Sequence, residues 1–167
     1  MKFLEILFGI KSKDANRWRA FGESARGASH IRSGAPNQDA IAFGPDSKTG
    51  PPVRLAIAAA HGSGKRFRSD IGSQFGVDAA LEVMNDFLLG LPRRPELAKT
   101  RNAIETELPG QIHEAWKLKV SQHFEEHPFL ADELDKAGEE GSPGRASAEK
   151  HHMVAYGATV LAMLIHE

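Results

Sequence analysis

The stretch that most constrains this chain is the run Val53-Arg54-Leu55-Ala56-Ile57-Ala58-Ala59-Ala60, which stops at His61-Gly62. It is built from small and branched apolar residues, and its length suits a buried strand better than a helix. From Asp70 the period changes. Ile71, Phe75, Ala79, Val83 and Phe87 recur every fourth residue, with Met84, Leu88 and Leu91 beside them. That is the stripe of an amphipathic helix. Ser69 or Asp70 supplies its cap, and Gly90 with Pro92 its stop. A buried strand followed at once by a long helix is the seed around which the other segments must arrange.

Those segments read as follows. In residues 18–26, Trp18, Ala20 and Gly22 alternate with Arg19, Phe21 and Glu23, which predicts a strand. Residues 27–36 are turn-rich, 39–43 form a short strand, and the Gly and Pro residues of 45–52 make a loop. A helix is expected over 95–107. Pro109 suits the first turn of another, striped by Ile112, Trp116, Val120 and Phe124 and ended by Pro128. Residues 131–150 are polar and Gly-rich and read as a mobile loop. Residues 154–165 read as a strand buried on both faces. Strands followed by helices predict an α+β class, with helices on one face of a mainly antiparallel sheet. No internal repeat is visible.

The chain has 167 residues, 41% of them hydrophobic and 26% charged, so one domain with a real core is expected. We divide it into a leader and linker, 1–16, and a domain, 17–167. The net charge of -1 argues against nucleic acid as a partner, because that grip needs a basic face. There are no cysteines, which removes disulfides, thiolate metal sites and cysteine nucleophiles. It also suits a reducing, cytoplasmic location. Residues 3–10 are apolar apart from Glu5 and too short to span a membrane. No small-residue cleavage site follows them, only Lys11, Ser12, Lys13 and Asp14, so a signal peptide is not indicated. They read as an amphipathic leader packing on the domain, with a membrane-surface or partner-docking helix as the alternative.

Two motifs tempt and fail. The stretch from His61 to Ser69 suggests a phosphate loop, but the pattern G-x-x-x-x-G-K-[ST] meets Ala59 at its first Gly and Arg66 at its hydroxyl. His123, Glu126 and His127 match H-x-x-E-H, which would put two imidazoles on one helix face toward zinc. A third ligand from well downstream is lacking, and both histidines border the apolar stripe. His151 and His152 read as solvent-facing.

A third constellation is stronger because its pieces occur in order. Gly27-Ala28-Ser29-His30 leads into Asn37-Gln38-Asp39-Ala40; then comes LAIAAAHGSGKRFRSDIGSQFGV; then Tyr156-Gly157-Ala158-Thr159. Together these resemble the metal-dependent protein phosphatase 2C (PPM-type) family, in its bacterial branch, over residues 18–167. The resemblance implies the N-terminal part of a four-layer α/β/β/α sandwich. It implies a serine/threonine phosphatase with two Mg or Mn ions, a metal-activated water as nucleophile, and an acid for the leaving oxygen. Asp39 takes the place of a metal carboxylate, and Gln38 stands in the outer shell where many members carry Glu. His61 falls on the histidine assigned as general acid. Gly157 to Thr159 matches a structural strand motif.

The departures are as informative. Where the family reads Asp-Gly before His-Gly, this chain reads Ala59-Ala60, so the bridging carboxylate is missing. Ala60 retains a backbone carbonyl for a metal. The family's phosphate-gripping Arg is replaced by Gly34, with Arg32, Arg66 or Arg68 as substitutes. The family's other metal aspartates lie beyond the strand at 154–165. We therefore expect weak or absent metal binding and no phosphatase activity from these residues alone. The Ala-Ala pair reads equally as deliberate inactivation or natural decay. The alternative is a pseudophosphatase that binds a phosphoprotein or a cognate kinase, with an open sheet available for self-association.

Overall fold

A computed structural model describes residues 20–44, 55–63, 66–92, 94–139 and 144–165. The expected leader at 1–16, the loop at 45–52 and part of the first expected strand lie outside the described residues. In chain order the elements are helix α1 (Ala28–Ser33), strands β1 (Asp39–Gly44) and β2 (Leu55–Gly62), and helix α2 (Ser69–Gly90). Helices α3 (Leu97–Thr106), α4 (Leu108–Glu126), α5 (Ala131–Glu139) and α6 (Gly144–Lys150) follow. A 3-10 turn (His152–Tyr156) leads into strand β3 (Ala158–Ile165).

Among the described residues the strands form one antiparallel sheet in the order β1-β2-β3. Three rows of paired residues run across it: Asp39, His61 and Thr159; Ile41, Ala59 and Leu161; Phe43, Ile57 and Met163. Side chains alternate along a strand, so these rows share one face. The other face carries Ala40, Ala56, Ala58, Ala60, Val160 and Leu164, and α2 packs on it. Helices on one side of an antiparallel sheet are thus what the sequence order leads one to expect.

Small side chains let α2 come close. A Cβ on Gly76 would fall 2.8 Å from the Val160 side chain and 3.7 Å from the Ala60 methyl. A Cβ on Gly72 would overlap the Tyr156 carbonyl oxygen, at 1.7 Å. Val77, Ala80, Met84 and Leu88 continue this contact down the helix. The expected stripe of every fourth residue is therefore not the sheet-facing side. Ile71 and Phe75 turn instead toward a second cluster with Val120, Ala155 and Tyr156. The helix is clamped from two sides: of the residues expected on its stripe, Met84, Leu88 and Leu91 face the sheet, while Ile71 and Phe75 face the second cluster.

Other segments differ from the reading of the sequence. Residues 20–26 form no regular strand, and the turn-rich stretch holds α1, closed by Gly34 in the left-handed region at φ 73°. The expected mobile loop contains α5 and α6, pinned where Glu133 meets Arg68 and Arg145 bonds Asp135 and Glu149. The last strand starts later than expected and is not buried on both faces, since Leu161 is 74% exposed. Nothing among the described residues covers its outer face.

The close helix contact has a testable consequence. Gly72→Ala should destabilise by about 3 kcal/mol, the upper end of overpacking costs, because the obstacle is backbone. Gly110→Ala, on exposed α4 with open space around it, should instead stabilise by up to about 1 kcal/mol. Urea titrations of both variants check this; equal midpoints would contradict the packing described.

Candidate functional site

The three sequence pieces meet at one end of the sheet. β1 begins at Asp39, β2 ends at His61-Gly62, and β3 begins just after Gly157. Antiparallel pairing sets Asp39 opposite His61, and His61 opposite Thr159. His61 Nδ1 lies 2.5 Å from Asp39 Oδ1, with the two side chains 70% and 54% exposed.

Local turns hold this row in place. The Asp39 N–H donates to Asn37 Oδ1 at 3.2 Å, the Asn37 amide donates to Ser24 Oγ at 2.9 Å, and Ser24 Oγ donates to the Asp39 carbonyl at 2.8 Å. Short polar side chains commonly stabilise turns in this way. The Gly62 N–H donates to the Gln38 carbonyl at 2.7 Å. Any Cβ at Gly62 would collide with the backbone carbonyls of Ser69 and Gln38. Glycine is thus needed after His61 for the chain to turn into α2. The Ser63 N–H donates to the Gly157 carbonyl at 2.9 Å, which ties that turn to the start of β3.

The other expected site residues separate into groups. Ala59 lies on the same face as His61, one pair further in, and offers only a methyl group. Ala60 is buried under α2 and paired with Ala40 on one side and Val160 on the other. Gln38 is buried. Arg66 is half-buried with its side chain against Gly157, beside the same end of the sheet. Arg32 is exposed on α1.

Arg68 is not available to a phosphate. It is buried, and all its donors are engaged. Nε and Nη2 bond the two Glu133 oxygens at 2.8 and 2.7 Å. Nη1 donates to the His127 carbonyl and the Tyr156 hydroxyl, and Nη2 also donates to the Pro128 carbonyl. Its guanidinium lies over the Phe129 ring at 4.8 Å. Burial works to lower the Arg68 pKa, but the bonds to Glu133 and Tyr156 prevail and hold it above the ordinary value.

The paired histidines of α4 serve this same cluster. Arg68 can only donate, so the Tyr156 oxygen accepts from it and its own proton goes to His123 Nδ1, 2.9 Å away. Burial pushes the Tyr156 pKa up. Burial lowers that of His123, and repulsion from the neighbouring His127 and Arg68 side chains lowers it further. Among the described residues no three His, Cys, Asp or Glu side chains are placed to hold a metal ion. The zinc reading of H-x-x-E-H therefore gives way to a packing role. His152 departs from the solvent-facing reading: its ring stacks on Phe124 at 4.4 Å.

The Arg68, Glu133, Tyr156 and His123 cluster was missed in the sequence. Its members come from four separate segments, and no local spacing links them. A pH dependence follows from it. The folded His123 titrates below its unfolded value of about 6.5, so its contribution is fully present above that pH. As pH falls from about 6.5 toward the folded pKa, the unfolded chain binds the proton first and stability is lost. His123→Gln should flatten the stability profile below about pH 6.5, measured by urea midpoints. An unchanged slope would contradict the assignment. Arg68→Ala should cost about 3 kcal/mol in the same assay, because it breaks the largely buried ion pair with Glu133 and removes the bonds to Tyr156 and the His127 and Pro128 carbonyls.

No curated protein and no solved structure matches the chain. The model of the protein phosphatase 2C family matches residues 26–167, well over half of the sequence. That span contains the Asp39, His61 and Thr159 row and the turns that hold it. The chain belongs to the protein phosphatase 2C family.

Proposed function

We propose that these residues form the first part of a metal-dependent protein serine/threonine phosphatase unit that does not itself turn over phosphoesters. One observation carries the reading: a methyl group, Ala59, stands beside the Asp39–His61 pair where a second carboxylate is required. Two hard divalent cations repel each other and need several carboxylates between them. A metal pair supplies the attacking hydroxide when bound. The residues present, with Asp39 as the carboxylate of the motif, do not fit such a pair. Gln38 and the Ala60 carbonyl would add only neutral groups.

His61 still has the chemistry for its assigned part. With Nδ1 held on Asp39, its Nε2 is left to face a substrate. A protonated imidazole in that position can hand its Nε2 proton to a departing serine or threonine oxygen. Arg66 and Arg32 are the cations proposed to meet the phosphate. The proposed setting is cytoplasmic signalling by dephosphorylation, with the absence of cysteine as support. Among the described residues no helix is long and apolar enough to cross a membrane.

The exposure of the Asp39–His61 pair, with Arg66 beside Gly157, favours a second reading. This is a pseudophosphatase that holds a phosphoprotein or a kinase without cleaving it. Phosphate release from a phosphoserine peptide with manganese present separates the two from an active enzyme. We expect no release that scales with protein. Manganese-dependent release that does scale overturns both readings. Restoring Ala59→Asp and Ala60→Gly in a chain extended by the rest of the domain should recover activity under the first reading. Under the second, the chain should bind a labelled phosphopeptide more tightly than its unphosphorylated form, and Arg66→Ala should abolish the preference.

A further inference from the structure

The polar flank that holds Arg68 is tied to the end of the sheet through one side chain. Tyr156 is fully buried, and its hydroxyl stands between Arg68 Nη1 at 2.7 Å and His123 Nδ1 at 2.9 Å. Arginine has only donors, so the hydroxyl oxygen accepts from Arg68 and its own proton points at His123. His123 Nδ1 must then accept, which only the neutral ring allows. We propose that this hydrogen bond is an acid-sensitive latch: when His123 takes up a proton, the 3-10 turn at His152–Tyr156 lets go of α4, and the sheet end from Gly157 to Thr159 shifts with it. The proposal is independent of the phosphate chemistry.

Three observations carry it. First, a proton on Nδ1 turns that acceptor into a donor. The Tyr156 oxygen then faces two donors, and its own proton loses its acceptor inside a buried site, which is costly. Second, the surroundings disfavour a cation on this ring. The groups that face it are Arg68 from the start of α2, Glu133 from α5, the Tyr156 hydroxyl from the turn, and Glu126 and His127 from α4 itself. Phe75 of α2 adds an apolar ring, edge-on at 5.6 Å. Both Glu133 oxygens are already bonded to Arg68, and Glu126 is exposed. Burial, with repulsion from His127 and Arg68, outweighs the attraction of the two glutamates.

Third, the turn is built to transmit. The Arg68 N–H donates to the Ala155 carbonyl at 3.1 Å, and the Tyr156 carbonyl fills the space that Gly72 leaves on α2. The Ser63 N–H donates to the Gly157 carbonyl at 2.9 Å, and Thr159 pairs with His61. A displacement of Tyr156 therefore reaches the turn after His61 and the start of β3 by short covalent and hydrogen-bonded steps. His152, on the same turn, is the rival sensor. Its ring stacks on Phe124 at 4.4 Å, and its Nε2 meets no partner among the described residues, so a proton there breaks no bond.

The test follows the His123 ring and the amides of Ala155, Gly157 and Thr159 by NMR in the isotope-labelled full chain, between about pH 7.5 and 4.5. His61→Gln is the background throughout, so that the strand partner of Thr159 does not itself titrate. We expect the three amides to shift together with the midpoint of the His123 ring, below about 6.5, while the rest of the spectrum keeps its folded dispersion. In Tyr156→Phe the amides should no longer follow the ring. In His123→Asn, which keeps an acceptor and cannot take up the proton, they should stay at their neutral-pH positions. A His123 ring that titrates while the amides stay still overturns the proposal. So does a shared midpoint that survives in Tyr156→Phe. A shift that survives in His123→Asn overturns it in favour of His127 or His152. Loss of all dispersion at the His123 midpoint overturns it in favour of global unfolding. Should Tyr156→Phe fail to fold, the background titration and His123→Asn still decide. None of these outcomes bears on phosphate release, so this proposal and the phosphatase reading fail separately.

Discussion

The structure depends on how closely α2 can lie against the sheet. Gly72 and Gly76 remove side chains where the helix meets Tyr156 and Val160, and Ala56, Ala58 and Ala60 do the same from the sheet. Dispersion falls steeply with distance, so this proximity converts small residues into a well-packed core. The same approach brings the start of α2 under the end of β2. Gly62 then has room only for a hydrogen between the Ser69 and Gln38 carbonyls. The turn after His61 is fixed by that crowding, and so is the place where the candidate site forms.

A second constraint works from the other flank. Arg68, at the mouth of α2, is held by Glu133 from α5, by carbonyls at the end of α4 and by the Tyr156 hydroxyl. A buried cation is costly unless every donor is met, and here each one is. The cluster therefore specifies how α4, α5 and the 3-10 turn dock on α2. Because the Arg68 N–H also donates to the Ala155 carbonyl, it positions the residues that lead into β3. Two clamps, one apolar and one polar, thus set the register of the sheet end that carries Asp39, His61 and Thr159.

Much of this was legible where residues announce themselves locally. The alanine-rich run ending at His61-Gly62, the stop of the long helix near Gly90, and Pro109 in the first turn of α4 each carry a short-range signal, whereas the cap expected from Ser69 or Asp70 is not made: Arg68 holds that position without a side-chain bond to the helix. The order of the motif pieces pointed to the phosphatase family and to residues that strand pairing then brings together. The sheet-facing side of α2 was legible only in its second half, at Met84, Leu88 and Leu91. A helix buried on two sides has no single stripe, and glycines contribute through what they lack. α5 and α6 were hidden because both are short and polar with no apolar stripe, and the Arg68 that anchors α5 through Glu133 lies far away in sequence. The exposure of Leu161 was hidden too, since an apolar run does not say how many sheets will pack on it.

The site retains the part of a phosphatase centre that orients a histidine and lacks the part that gathers cations. Asp39 alone faces His61, and Ala59 fills the neighbouring position with a methyl group. Titration with manganese, following the paramagnetic resonance signal of the free hydrated ion, tests this most directly. We predict that the free-ion signal tracks total manganese through the micromolar range, for the chain and its Asp39→Asn variant alike. Withdrawal of two ions per chain at micromolar concentration, abolished by Asp39→Asn, would contradict it.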